Sequence, residues 1–152
     1  MGVEKVRRDL EGKNFDGSII EHGQSTATVE KAANALGVEE RVIAKTLAFS
    51  LKDRNILIVT RGDARIDNKK MKNTFHKRAR RLQLEEIVES TGHPVGGVCP
   101  FGLKNPLDIY LDESMKEFDY IYPGAGAPNA MAKMTPGELQ RVTGGTWVDV
   151  CQ

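Results

Sequence analysis

The sequence has little that would tie it to a membrane, an oxidising compartment or a metal. No apolar run nears the roughly 18 to 20 residues that a spanning helix requires, so no membrane partner is expected. Cysteine is scarce: Cys99 and Cys151 cannot build a disulfide framework, and lone thiols fit a reducing cytoplasm. The opening MGVEKVRRDLEG is charged and periodic, unlike a secretory signal. His22, His76 and His93 show no metal spacing with one another or with either cysteine, and no metal is expected. GxSxG and CxxC are missing. There is no Walker A loop, and Gly124-Ala125-Gly126-Ala127-Pro128-Asn129-Ala130 lacks the third glycine of GxGxxG, so no nucleotide cofactor is expected. Net charge is also scarce: 22 Lys/Arg against 21 Asp/Glu leave +1. That sum gives no reason to propose a nucleic-acid partner.

What is present is a chain of 152 residues, 39% hydrophobic and 28% charged, enough for one folded domain over residues 1–152. Its charge is segregated. From Arg61 to Arg81 there are nine Lys/Arg and two Asp/Glu, a net +7 that leaves −6 for the remainder. Such a block suits either a solvated helix face or a phosphate backbone. Met71 and Phe75 stand four apart within it, which predicts a helix with apolar anchors and outward-facing cations such as Lys69, Lys70, Lys72 and Arg78.

The elements follow from local signals. Val6 and Leu10 suit a short opening helix over Val3 to Leu10. Ser18 to Glu21 reads as a strand, and the hydroxyl-rich Ser25 to Thr28 can cap a helix over Val29 to Leu36 that Gly37 stops. Arg41 to Ser50 and Asn55 to Thr60 predict a hairpin around Lys52-Asp53-Arg54. Asp67 can cap the basic helix, and Leu84 to Ser90 reads as another helix closed by Thr91-Gly92. Gly92 to Pro106 is too rich in glycine and proline for a regular element and predicts a shaped loop. Strands are expected over Leu107 to Leu111, Tyr120 to Tyr122, Met131 to Met134 and Thr146 to Val150. Gly124 to Pro128 forms a second glycine loop, and Thr135-Pro136 opens a last helix. The pattern predicts one α+β domain.

Few residues are left to carry chemistry. Strand alternation puts Lys45 on one face with Ile43, Leu47 and Phe49, so its ammonium must be desolvated, snorkel to an edge or point into a cleft. A cleft lysine suits a phosphate, a carbonyl oxygen or a developing oxyanion. Gly96-Gly97-Val98-Cys99-Pro100-Phe101-Gly102 lets main-chain groups approach a ligand, or is simply a tight connection. Cys99 reads as either a nucleophile or a small packed thiol.

This set, in this order, resembles the YbaK/EbsC family of prolyl-tRNA-synthetase-associated editing domains. The resemblance runs through Thr28 to Val38, Lys45-Thr46-Leu47, Gly62-Asp63, Ile66-Asp67, the GxxxPxG loop from Gly96 to Gly102, Gly124-Ala125-Gly126, and Met134 to Leu139. It implies an α+β fold with a curved, barrel-like mixed β-sheet flanked by helices. It also implies a freestanding, cofactor-free deacylase that hydrolyses the ester of a mischarged tRNA. The tRNA implied is tRNA(Pro) carrying Cys, Ala, Ser or Thr, and a prolyl-tRNA synthetase is an implied partner. Lys45 would be the principal functional side chain. Thr46, Gly96, Gly97, Val98, Cys99, Pro100, Gly102, Gly124 and Gly126 would bind substrate, and Lys69, Lys70, Lys72 and Arg78 would meet the tRNA. The attacking group would be water, the ribose 2′-hydroxyl or a substrate thiol. Alanine-deacylating members carry a late histidine, whereas none follows His93 here. The alternative is a noncatalytic module that binds tRNA or a synthetase. A general esterase would need a nucleophile that the sequence does not offer.

Overall fold

The computed structural model describes residues 2–152. Helix α1 (Gly2–Gly12) buries Val3, Val6 and Leu10 along one stripe. A short strand β1 (Ile19–Glu21) follows, then α2 (Val29–Leu36), whose cap Thr28 accepts from Lys31 N–H at 3.1 Å. Gly37 ends α2 in the left-handed conformation, with φ 71°. A 3₁₀ turn (Glu40–Val42) takes the start expected for the next strand, so β2 runs Ile43–Ser50, paired antiparallel with β3 (Asn55–Arg61).

Asp67 caps α3 (Asn68–Phe75) by accepting from Lys69 and Lys70 N–H. The anchors behave as the spacing predicts: Met71 is buried, and Phe75 stacks edge-on against Tyr110 at 4.8 Å between centroids. The chain then forms β4 (Arg80–Arg81), a strand absent from the expectations above, and α4 (Leu84–Thr91). After the long loop come β5 (Asp108–Asp112), a second 3₁₀ turn, β6 (Tyr122–Pro123) and β7 (Ala130–Ala132). Helix α5 (Pro136–Thr143) opens with a Thr135/Glu138 capping box, and β8 is Thr146–Val148.

The main sheet has the order β4-β2-β3-β5-β8, with β6 also pairing with β2. The β2–β3 pair is antiparallel, while β3–β5 and β5–β8 are parallel, so the sheet is mixed. The β1–β7 ribbon is antiparallel and meets β6 through a Gly124–Met131 bridge. The fold is therefore the expected α+β mixed sheet with flanking helices, but it does not close into a barrel. The path of the main sheet ends at β4 on one side and β8 on the other, among the described residues.

Strand β3 is the centre. Ile56, Leu57, Ile58 and Val59 have no exposed surface, as a strand covered on both faces requires. Helix α1 packs with Ala44, Val59 and Leu111 on one side of the sheet. Met71 and Phe75 of α3 join Phe49, Ile56 and Ile58 in a separate cluster. Helix α2 covers Ile43 and Met131. No helix is long and apolar enough to cross a membrane among the described residues.

Candidate functional site

Two short strands share the outer edge of β2 and leave a gap between them. Strand β6 pairs with Ile43 and Ala44, and β4 pairs with Phe49 and Ser50. Leu82 N–H extends the second contact by donating to Ala48 O at 3.0 Å. Between them, Lys45 to Leu47 have no strand neighbour on that side among the described residues. Here a cavity of about 400 Å³ opens, walled by the Thr26–Val29 segment, Gly96 and Val98, Gly124 and Met131, and Arg81 with Leu84.

Lys45 lies at the floor of this gap, half-buried. Its Nζ donates to Ala64 O at 2.5 Å and Gly62 O at 3.2 Å. An ammonium has three N–H groups, so one remains for a ligand. Burial pushes its pKa below the usual lysine range; nearby Cys151 opposes that shift and Arg81 adds to it. The turn it holds cannot move away easily. A Cβ on Gly62 would fall 2.1 Å from Glu40 O and 2.8 Å from Val29 Cγ1, so the turn is pressed beneath the start of α2.

The two glycine loops are packed against one another. Gly96 has φ 84°, and a Cβ there would stand 2.8 Å from Ala27 Cβ. On Gly97 it would stand 2.8 Å from both Ala127 Cα and Ala127 N. Gly96 and Val98 thus face the cavity while Gly97 is the contact that holds the loop there. Gly102 is buttressed by α1, with its N–H donating to Asp9 at 2.8 Å, and Gly126 abuts Gly2 and Val6.

Behind the loop, His93 has no exposed surface. A carbonyl oxygen can only accept, so the 2.6 Å contact between His93 Nε2 and Phe101 O fixes the Nε2–H tautomer. Burial pushes this imidazole below the usual histidine range. Cys99 is equally buried, its Sγ 3.5 Å from the same nitrogen. Burial drives its thiol up to about 12. Cys99 and Pro100 are both buried outside the cavity wall, and Cys99 is a packed thiol.

Of the residues expected to bind substrate, Lys45, Thr46, Gly96, Val98 and Gly124 therefore meet in one cavity. Gly97, Cys99, Pro100, Gly102 and Gly126 lie behind it. Sequence reasoning missed Thr26, which it counted among capping hydroxyls, and Arg81 as a wall residue. Thr26 N–H donates to Pro128 O at 2.7 Å, a long-range contact with no local signal.

The basic segment divides. Lys70 bonds Asp149 and Cys151 O, Lys77 pairs with Asp53, and Arg80 with Glu86. Arg81 alone of the block lines the Lys45 cavity, 5.4 Å from the Phe49 ring centroid. Lys72 and Arg78 line a second cavity of about 450 Å³ with Met71, Ala79 and the Asp53-paired Lys77. Lys69 is exposed at the start of α3.

The fold and cleft define a class first: an α+β domain whose reactive surface is made of cations, hydroxyls and main chain. No Asp, Glu, His or Cys is among the side chains that line the cleft. Residues 24–142 match the aminoacyl-tRNA editing domain, and the chain belongs to that family. It is 44% identical to the uncharacterized protein YwhH of Bacillus subtilis (strain 168), over 100% of this chain and 98% of that protein. It is 28% identical to EbsC of Enterococcus faecalis, a proposed Cys-tRNA(Pro)/Cys-tRNA(Cys) deacylase, over 81% of this chain and 76% of that one. A proline–tRNA ligase of Sulfurihydrogenibium sp. is 37% identical over 64% of this chain, which spans only 17% of the ligase. Among solved structures, a proposed trans-editing enzyme for prolyl-tRNA synthetase superposes with a TM-score of 0.92 at 32% identity, covering 99% of this chain and 97% of that one.

Proposed function

We propose that the protein is a freestanding, cytoplasmic trans-editing deacylase that hydrolyses the ester of a mischarged tRNA, with tRNA(Pro) carrying a small amino acid as the substrate class. The single observation that carries this reading is the composition of the cleft. Among the described residues its only titratable side chains are two cations, Lys45 and Arg81, and no Asp, Glu, His or Cys is there to act as nucleophile or general base. An aminoacyl ester suits such a site because the α-ammonium activates its carbonyl and the vicinal ribose hydroxyl assists departure of the ester oxygen, so orientation with oxyanion stabilisation can suffice.

In this mechanism the third N–H of Lys45 holds a phosphate or carbonyl oxygen of the aminoacylated terminal adenosine. The bared edge of β2 and the main chain at Gly96 to Val98 hold the ester. Water attacks the carbonyl carbon and gives its proton to the neighbouring ribose hydroxyl oxygen, which in the same step passes its own proton toward the ester oxygen. The C–O bond to the ribose breaks, and the proton passes to the departing oxygen, giving free amino acid and intact tRNA. Arg81, and beyond it Lys72 and Arg78, meet the tRNA backbone, with Lys69 and Lys70 near them. A prolyl-tRNA synthetase is a fitting partner because the domain's relatives include segments of proline–tRNA ligases.

The test is single-turnover deacylation of Cys-, Ala-, Ser- and Thr-charged tRNA(Pro). Lys45→Met, which keeps the apolar stem, is expected to lower the rate by about 100-fold or more. A Lys45→Met protein as fast as wild type, or a wild type inert on the whole panel, refutes the enzyme reading. Salt-sensitive tRNA binding without hydrolysis would leave a noncatalytic tRNA-binding module.

A further inference from the structure

Two buried hydroxyls on residues that line the cleft have no hydrogen-bond partner among the described residues: Thr26 Oγ1 and Thr46 Oγ1. Both residues line the Lys45 cavity. Thr26 is 6% exposed, and its backbone is fixed by the bond to Pro128 O. Thr46 is fixed by its register opposite Val59 in the sheet. The neighbouring Thr28 differs, because its hydroxyl is engaged in capping α2. The same cavity is also lined by apolar side chains, among them Ala27, Ala32, Ile43, Val98 and Met131. A buried hydroxyl left unbonded is costly, and these positions gain nothing from carrying one unless a ligand bonds it.

We propose that Thr26 and Thr46 select an aminoacyl group with a hydroxyl side chain, seryl or threonyl, over one that ends in a methyl group. This rests on the deacylase reading and deepens it. A substrate hydroxyl is one donor and two acceptor positions, so it can meet a threonine hydroxyl in either role. An alanyl group leaves both unbonded, and a cysteinyl thiol is a weak partner in either role. A site built to bond a hydroxyl rejects the analogue without it more strongly than an apolar pocket rejects an added hydroxyl.

The test begins with non-hydrolysable 3′-seryl-, 3′-threonyl- and 3′-alanylamino-3′-deoxyadenosine amides, with binding measured by calorimetry. The seryl or threonyl amide is expected to bind about tenfold or more tightly than the alanyl amide. Thr26→Val and Thr46→Val, close in shape to wild type, are each expected to cut that preference toward parity, whereas Thr26→Ser and Thr46→Ser preserve it. Equal binding of the amides by wild type, or no binding of any, overturns the proposal. So does an equal loss for every amide in the valine variants, which would assign the hydroxyls to the ribose or the α-amino group. The same order of rates is expected in single-turnover deacylation of Ser-, Thr- and Ala-charged tRNA(Pro). A wild type that prefers the seryl or threonyl amide yet hydrolyses none of these tRNAs keeps the selectivity and removes the deacylase reading.

Discussion

His93 is the residue whose burial has the clearest consequence in solution. It has no exposed surface, and its Nε2–H holds the end of the glycine loop at Phe101 O. Its folded pKa lies below the usual histidine value because burial disfavours the imidazolium. The unfolded chain, titrating near about pH 6.5, therefore binds more protons than the folded one in the window beneath that pH. Stability is fully present above the unfolded pKa and is lost as pH falls toward the folded one, by at most about 1.4 kcal/mol per pH unit. The melting temperature is expected to drop between about pH 7.5 and about pH 5.5. His93→Gln, which can donate to the same carbonyl but does not titrate, should flatten that slope. An equal slope in the variant would assign the acid sensitivity to other groups. The residue was legible in the sequence only as a non-ligand; its partner across the Pro94–Pro100 loop is a tertiary fact.

At the scale of elements, the legible parts are those set by neighbours along the chain. Thr28, Asp67 and Thr135 cap their helices where a hydroxyl or carboxylate precedes a periodic run, and Gly37 ends α2. The cleft itself depends on what is not local. Lys45 is legible as a cation on an apolar strand face, but only the pairing of β6 and β4, which leaves the middle of β2 bare, separates edge from cleft. Strand β4 is two arginines long and owes its conformation to pairing with Phe49 and Ser50, so no periodicity announces it. The glycine loops were legible as unusual, not as packed on one another. That packing predicts an asymmetry between glycines. Gly97→Ala sets a Cβ against Ala127 backbone and is expected to cost about 2 kcal/mol or more, read as a fall in the denaturant midpoint. Gly12→Ala meets nothing within 4 Å at the end of α1 and is expected to be neutral or to stabilise by up to about 1 kcal/mol. Equal effects would mean that the loops do not bear on each other.

For the whole molecule, the question is where the +7 segment directs its charge, since the sum of +1 conceals it. The fold answers by pairing. Lys70, Lys77 and Arg80 are tied to Asp149, Asp53 and Glu86, so part of the segment's charge is offset by the acidic remainder. Arg81 stands at the Lys45 cleft, and Arg78 with Lys72 lines the cavity beyond β4. If a tRNA backbone follows that surface, each phosphate contact releases counterions and steepens the salt dependence of binding. Lys72→Gln and Arg78→Gln are each expected to weaken tRNA binding and to lower the magnitude of the log–log salt slope by about 1. Lys77→Gln, whose charge already faces Asp53, should change the slope less. Both effects should vanish on an aminoacyl-adenosine amide, which reaches the cleft but carries no acceptor stem. Slopes unchanged in the Lys72 and Arg78 variants, or a Lys77 variant that changes as much as they do, would return the basic block to a solvated face and place the tRNA on another side of the cleft.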